Sequence, residues 1–198
     1  EAVITVPKRK QEILKAYAGK TRRCVSGRKA EIPIPELCRY LKFLSSSLKK
    51  RIHKEEWLEY GNLGWYNGYY DNHGRKLEGI RPDGQARMML TGQVFAVMSG
   101  TADDKQVKKI TEAAERFLFD ERAGGYRLNT EFREVKTDMG RMFGFAYGEK
   151  ENGSVFSHMD VMYANALYGR GFYKEGFKAL AALYRYCADF EKSRIYPG

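Results

Sequence analysis

The chain has 198 residues and a formal net charge of +10, which is enough length for one domain with its own hydrophobic core. It contains no run of eighteen apolar residues, so the sequence predicts no membrane span. No signal peptide is predicted either, because the start lacks a basic region followed by an apolar core. The three cysteines are far apart and have no zinc spacing, which predicts no metal site and favours a reducing cytoplasm as the location.

The positive charge is concentrated in the first part of the chain. Residues 1–56 carry 15 Lys and Arg against 6 Asp and Glu, whereas residues 57–198 are almost balanced. Such a basic block is typical either of nucleic-acid binding or of a solvated helical surface that meets another domain. We favour the second interpretation and expect no nucleic acid among the partners, because the block has few aromatic residues and no nucleic-acid motif. Residues 1–56 are therefore treated as a basic helical lead-in to one domain.

The first elements are two helices and a turn-rich segment. Val6 to Tyr17 has an amphipathic pattern, and Pro35 to Lys54 carries leucines and an isoleucine at steps of three and four, which predicts helices with one apolar stripe. Trp57 to Ile80 is rich in glycine, asparagine and aromatic residues. The turn signal at 71–74 predicts a hairpin or ordered loop, with Asp71 capping its own turn.

Two pairs of helices follow, separated by a long loop. Gln85 to Ser99 is apolar on nearly every side, whereas Asp103 to Phe119 has one polar face. After the loop Arg122 to Tyr147, a second largely apolar helix is predicted from 158 to 167, and Lys174 to Cys187 again has a single apolar stripe. This alternation predicts an all-α fold of antiparallel helix pairs, in which inner helices are covered by outer ones.

A polar segment precedes the third of these helices. Residues 148–158 contain two carboxylates, an amide, two hydroxyls and an imidazole. The spacing predicts Ser157 as the N-cap, Asp160 as its acidic partner in an S-x-x-D pattern, and His158 at the first helical position. A helix start presents unpaired N–H groups and a partial positive charge, so it suits an anion such as phosphate.

Three motifs give a resemblance to a known family. Glu151, Asn152 and Gly153, with His158 seven residues after Glu151, resemble the E-N-G-x-x-[YF]-x-H motif of inverting glycoside phosphorylases. These are the cellobiose phosphorylase group, glycoside hydrolase family 94. The segment 64–74 looks like the family's W-Y-x-x-x-Y-x-D-x-G hairpin. The segment 93–100 looks like its Q-x-W-A-V-L-S-G helix, with a phenylalanine in place of the usual tryptophan.

The resemblance implies a fold and a reaction. The family uses an (α/α)6 barrel, of which this chain would supply about half, so we expect it to be a piece of a longer protein. The implied reaction is cleavage of a β-glucosidic bond in a disaccharide or β-glucan oligosaccharide by inorganic phosphate, giving α-glucose 1-phosphate with inversion. Phosphate is a co-substrate, and no metal or organic cofactor is expected. A homodimer of the full-length parent is left open.

The resemblance also implies roles for individual residues. His158 matches the family's phosphate-binding histidine. The expected substrate-binding residues are Glu151, which matches a glutamate near the acceptor sugar, together with Asn152, Gln93, Trp65 and Tyr66. For Gln93, satisfying a neighbouring backbone is an equal alternative. For the aromatic residues, core packing is the alternative to stacking on a sugar ring. We expect Glu151, His158, Gln93 and the Trp65 hairpin to converge on one concave surface.

Two family motifs have no counterpart in this chain. The general-acid aspartate belongs to a D-W-N-D-like motif, and none stands in residues 1–56. The T-G-S-A-x-W motif, which lines the phosphate site, is also missing. We therefore assign no catalytic residue to this chain and expect the isolated chain to be inactive.

Other functions are open from the sequence. An inverting hydrolase on the same barrel would need a second carboxylate as base and no phosphate-binding histidine. Residues 165–176 look somewhat like one helix pair of a tetratricopeptide protein-binding repeat, although no second copy about 34 residues away is visible.

Overall fold

The structure, a computed structural model, describes residues 6–193 and divides into two units, with the boundary after Leu44. The chain is mainly helical, with three two-stranded antiparallel sheets among the described residues. The helices are α1 (Pro7–Thr21), α2 (Ile34–Glu56), α3 (Leu90–Met98), α4 (Asp104–Phe117), α5 (Ser157–Gly169), α6 (Tyr173–Ala188) and α7 (Phe190–Ser193). The strands are β1 (Trp57–Tyr60), β2 (Leu63–Tyr66), β3 (Gly79–Ile80), β4 (Ala86–Arg87), β5 (Phe119–Asp120) and β6 (Gly125–Tyr126). No helix in this part of the chain has the length and apolar character needed to cross a membrane.

The first unit contains α1 and the beginning of α2. Both predicted helices are confirmed, and α1 continues four residues beyond the predicted end at Tyr17. Pro7 stands at its start, where its missing N–H has no helical partner in any case. The described side chains of this unit are almost all exposed, including Leu37 and Leu41 of the apolar stripe of α2.

The second unit begins within α2 and holds the hydrophobic core. Lys49 Nζ donates to the carbonyl of Gly100 over 2.6 Å, and His53 Nε2 to that of Thr101 over 2.6 Å. β1 and β2 then form a hairpin whose turn lies at residues 61–62, ahead of the turn signal at 71–74 where the sequence predicts a hairpin or ordered loop.

The turn at 71–74 is separate from this hairpin. The isolated antiparallel bridge between Tyr70 and Lys76 joins the two segments that flank it. The predicted cap is confirmed, because Asp71 Oδ1 accepts from the backbone N–H groups of His73 and Arg75 over 2.9 Å each. The Arg75 N–H and guanidinium, with the His73 N–H, lower the pKa of Asp71 to about 2.

Helix α3 begins five residues later than predicted. Residues 85–89 are extended, because Ala86 and Arg87 pair with β3 and Met89 forms an isolated bridge with Asn129. The N–H of Leu90 donates to the carbonyl of Leu128 over 2.8 Å. Apolar side chains in this stretch are therefore buried by an extended backbone, and the segments that precede α3 and α5 are joined.

The predicted order of burial among the four later helices is confirmed. Five of the nine residues of α3 and six of the 13 of α5 are buried, against five of 14 in α4 and three of 16 in α6. Helices α5 and α6 pack against each other after a three-residue connection, residues 170–172. The segment 122–147, predicted as a loop throughout, includes β6 and a short 3₁₀ helix at 140–144.

Candidate functional site

The loop that carries Glu151 is a tight turn. The N–H of Asn152 donates to the carbonyl of Glu149 over 3.0 Å, and the N–H of Gly148 donates to the carbonyl of Asn152 over 2.7 Å. Gly153 has a φ of 78°, and a Cβ there would lie 2.2 Å from the ring of Tyr147. Glycine is therefore required at this position of the motif, both for its backbone conformation and for space.

A buried amide, Asn129, holds this turn in place. Its Oδ1 accepts from the N–H of Gly153 over 2.8 Å, and its Nδ2 donates to Oδ1 of Asn152 over 3.1 Å. Nδ2 of Asn152 donates in turn to the carbonyl of Phe145 over 2.8 Å. The hydroxyl of Tyr147 donates to the carbonyl of Asn129 over 3.1 Å.

This network gives the amide of Asn152 a structural role in the turn. Both polar atoms of its side chain are engaged within the loop, and the residue is only 6% exposed, so its amide supports the turn. Asn129 was missed by sequence reasoning. A polar residue between Leu128 and Thr130 has no sequence signal that distinguishes it from an exposed loop residue.

Glu151 is the motif residue that remains partly open. Its Oε1 accepts from Nη2 of Arg141 over 2.6 Å. Its Oε2 is shielded from solvent and has no donor among residues 6–193. Arg141, on the 3₁₀ helix, therefore fixes one carboxylate oxygen and leaves the other as a shielded acceptor without a partner among the described residues.

The start of α5 differs from the prediction. Ser157 is the first residue of the helix, and the N-cap is Phe156, which offers no side-chain cap. Asp160 does not complete a capping box. Its Oδ2 accepts instead from the N–H of Tyr126 over 3.0 Å, on strand β6. The carboxylate lies inside the core because its position on the helix faces that strand.

His158 lies at an exposed position in the first turn of α5. The N–H groups of Met159 and Asp160 donate to the carbonyl of Phe156, over 2.9 and 3.1 Å. In the described part of the chain no acceptor faces the N–H groups of Ser157 and His158. The helix start thus offers two free donors beside an imidazole, which is a suitable setting for an anion.

The carboxyl of Asp160 is fully buried two residues after His158. Burial raises its pKa to about 7, and the N–H of Tyr126 only partly offsets this. Its Oδ1 has no hydrogen-bond partner among the described residues. A Cβ at Gly125 would lie 1.9 Å from Oδ2, so a glycine is needed for strand β6 to approach the carboxyl.

The remaining expected ligand residues lie in the interior. Gln93 is fully buried, and it accepts from the N–H of Tyr66 and donates to its carbonyl, each over 2.8 Å. Of the two alternatives for Gln93, the structure supports the satisfaction of a neighbouring backbone. Trp65 is fully buried against the rings of Tyr60 and Phe117. This placement corrects its expected stacking role to a packing role.

Tyr66 is likewise a packing residue. Its ring is 2% exposed and lies 4.9 Å from the ring of Trp57, and its hydroxyl donates to Oε1 of Gln106 over 2.9 Å. The structure therefore brings Gln93 and the hairpin together within the core, while Glu151 and His158 share the segment before and at the start of α5.

A cavity of about 280 Å³ adjoins the Glu151 turn. Its wall includes Asn152 and four aromatic residues, which are Phe132, Phe143, Phe145 and Tyr147. Aromatic faces suit the C–H faces of a pyranose ring, and a polar turn at the edge supplies hydrogen bonds. Among residues 6–193, no group of histidine, cysteine, aspartate and glutamate side chains is arranged to hold a metal ion.

Comparison with known proteins shows a matching family model and several relatives. Residues 35–193 match the family model of the glycosyl hydrolase 94 superfamily, catalytic domain. The chain is 29% identical over 137 residues to a solabiose phosphorylase of Paenibacillus borealis, an alignment that covers 68% of this chain and 17% of that protein. It is 27% identical over 93 residues to a cellobionic acid phosphorylase of Neurospora crassa, covering 47% of this chain and 12% of that protein.

A third relative is an N,N'-diacetylchitobiose phosphorylase of Vibrio furnissii. The chain is 31% identical to it over 113 residues, which cover 56% of this chain and 14% of that protein. The chain therefore spans less than a fifth of the length of each of these three curated relatives.

Replacing Gln93 with leucine tests its structural role. The change leaves the N–H and carbonyl of Tyr66 buried without partners, which should lower the free energy of unfolding by about 2–5 kcal/mol. Urea denaturation of the variant and the original chain measures this difference. An exposed polar substitution such as Gln11→Leu, on α1, is the control and should change stability by less than about 0.5 kcal/mol. Equal stability of Gln93→Leu and the original chain would contradict the assignment.

Replacing Asp160 with asparagine tests the buried carboxyl. Because its pKa is raised in the folded state, its contribution to stability is complete below about pH 4 and is lost as the pH rises to about 7. Asparagine stays neutral, so the stability of the variant relative to the original chain should increase over this interval by up to about 1.4 kcal/mol per pH unit. The measurement is urea denaturation between pH 4 and 8. Glu78, whose burial raises its pKa to about 8, titrates in both proteins and cancels. A difference that stays constant with pH would refute the prediction.

Proposed function

Because this chain belongs to the glycosyl hydrolase 94 superfamily as part of its catalytic domain, we propose that the full-length protein is a glycoside phosphorylase. It would cleave a β-glucosidic bond of a disaccharide or oligoglucan with inorganic phosphate and release α-glucose 1-phosphate with inversion. The observation that carries the proposal is the family match over residues 35–193 together with the partly open Glu151 and the exposed His158 at the start of α5.

In this proposal His158 binds phosphate. The imidazole would donate to a phosphate oxygen, and the free N–H groups of Ser157 and His158 would donate to the others. The partial positive charge at the start of a helix favours the same anion. Asp160 lies close by but is buried, and the raised pKa of its carboxyl limits negative charge beneath the phosphate.

Glu151 has a different role, because a carboxylate repels phosphate and accepts hydrogen bonds from hydroxyl groups. Arg141 holds one of its oxygens, and the other, which is shielded from solvent and has no donor among the described residues, would accept from a sugar hydroxyl that reaches it. The neighbouring aromatic cavity would receive part of the saccharide. Gln93, Trp65 and Tyr66 support this arrangement from the interior, and Asn152 holds the turn at the wall of the cavity.

The general acid would come from outside this chain. Inverting cleavage needs an acid at the leaving oxygen, and phosphate takes the place of water as the nucleophile on the opposite face of the sugar. The names of the three relatives, each a phosphorylase of a different disaccharide, favour phosphate over water as the attacking group.

The domain would be an (α/α)6 barrel to which this chain contributes some of the helix pairs. The burial order of α3 to α6 supports an inner and an outer layer. Phe95, Met98 and Val161 are at least 41% exposed although they stand on the two more buried helices. Helices from outside the chain would cover these side chains.

Replacing His158 with alanine in the full-length protein tests the phosphate role. The loss of one hydrogen-bond donor to the charged phosphate should raise the KM for phosphate roughly tenfold to a hundredfold. The KM for the saccharide should change much less, because in this proposal the imidazole contacts the phosphate and not the sugar. The measurement is initial-rate phosphorolysis at varied phosphate and varied saccharide.

Glu151→Gln is the matched comparison. It should raise the KM for the saccharide and have little effect on the KM for phosphate. If His158→Ala instead raises only the KM for the saccharide, the phosphate role of His158 is wrong. Saccharide cleavage that needs no phosphate would favour a hydrolase.

A further inference from the structure

A second, more polar cavity lies beside the first. It has a volume of about 490 Å³, within the range of about 300–1,000 Å³ that is typical of small-molecule sites. Three arginines line it, and two carboxylates oppose them: Arg81, Arg87, Arg133, Asp83 and Glu134. We call it the arginine pocket. Its size admits a sugar residue rather than a simple ion alone.

Arg87 is the buried member of the arginine pocket. Its side chain is 7% exposed, and its guanidinium lies 4.7 Å from the ring centroid of Phe132. Nη2 donates to Oε1 of Glu134 over 2.6 Å, but Nε has no acceptor among the described residues. A buried, charged donor without an acceptor is unfavourable. The guanidinium of Arg87 would therefore be stabilised by a further anionic oxygen that accepts a hydrogen bond from it.

The carboxylates of the pocket do not meet this demand. Oε1 of Glu134 is shared, since Arg81 Nη1 and Lys136 Nζ each lie 3.7 Å away in addition to Arg87. Oδ1 of Asp83 accepts from the N–H of Gln85 over 2.9 Å and so serves its own turn. An added carboxylate would therefore find guanidinium groups whose planar donors match its two oxygens.

The position of the pocket links it to the site above. Its walls come from the segments that precede α3 and α5, which are joined by the bridge between Met89 and Asn129. Residues 132–134 line both this pocket and the aromatic cavity that reaches Asn152. The two cavities thus share a wall, next to the turn that carries Glu151.

We propose that the arginine pocket binds the carboxylate of an acidic sugar residue, a uronate or an aldonate, within the saccharide substrate. A carboxylate held there would place the attached sugar towards the aromatic cavity and Glu151. The pocket would then favour an acidic saccharide over its neutral counterpart. The predicted preference among substrates rests on the proposed phosphorylase function. The predicted binding of an acidic sugar does not.

The first experiment measures the choice of acceptor. The full-length protein is given α-glucose 1-phosphate with either D-glucuronate or D-glucose, and Arg81→Gln is compared with the unchanged protein. Arg81 is chosen because its side chain is 40% exposed, whereas replacing the buried Arg87 threatens folding. Arg185→Gln, at an exposed position of α6, is the matched control.

The unchanged protein should use glucuronate at a lower KM than glucose. Arg81→Gln should raise the glucuronate KM about tenfold and leave the glucose KM within about twofold, because only the charged group loses a partner. Arg185→Gln should change neither constant. Equal KM values for the two acceptors in the unchanged protein, or equal effects of Arg81→Gln on both, would overturn the proposal.

The second experiment does not depend on turnover. Ligand-observed NMR follows binding of D-glucuronate, with D-glucose and inorganic phosphate as competitors. Binding that persists in the presence of both competitors and is about tenfold weaker in Arg81→Gln supports the proposal, even if no acceptor is turned over and the phosphorylase function fails. Absence of glucuronate binding, or its displacement by equimolar phosphate, would overturn it.

Discussion

The side-chain amide of Asn129 is the interaction on which the candidate site depends. The two polar atoms of this amide bind the backbone of Gly153 and the side chain of Asn152. The backbone carbonyl of Asn129 accepts from the hydroxyl of Tyr147. The same residue bridges to Met89, immediately before α3. One fully buried residue therefore joins the segment before α3 to the turn before α5. Because buried polar groups are costly when unpaired, these bonds either form together or fail together, which gives the turn a single conformation.

Two buried carboxyl groups extend this principle. Glu78 accepts from the N–H groups of Gly68 and Met89 over 2.6 and 2.8 Å, and Asp160 accepts from that of Tyr126. Burial raises the pKa of both groups, to about 8 and about 7. In each case a side chain satisfies backbone donors of an extended segment that has few strand partners. Short irregular segments are thus held against the helices by buried polar side chains.

Patterns of apolar residues predicted the helices well, since burial of one face is what the spacing records. The prediction was wrong for residues 85–89, where an extended strand buries the same apolar side chains. Ser157 was misplaced as the N-cap because the helix starts one residue earlier and Asp160 turns towards β6. The E-N-G motif lies in a tight turn, and only the structure separates Glu151, which keeps an unpaired oxygen, from Asn152, which holds the loop. Asn129 and Arg87 could not be predicted, because their roles depend on contacts between distant segments.

Amide hydrogen exchange on Asn129→Ala, compared with the unchanged protein, tests most directly whether this residue fixes the site. We predict that the N–H groups of Gly148 and Gly153 exchange at least about tenfold faster in the variant, because a loss of about 1.4 kcal/mol or more in local stability corresponds to that factor. The N–H groups of Val94 and Val97 in α3 should keep their rates and serve as the internal control. Unchanged exchange at Gly148 and Gly153 would contradict the account, since the turn would then be held without Asn129.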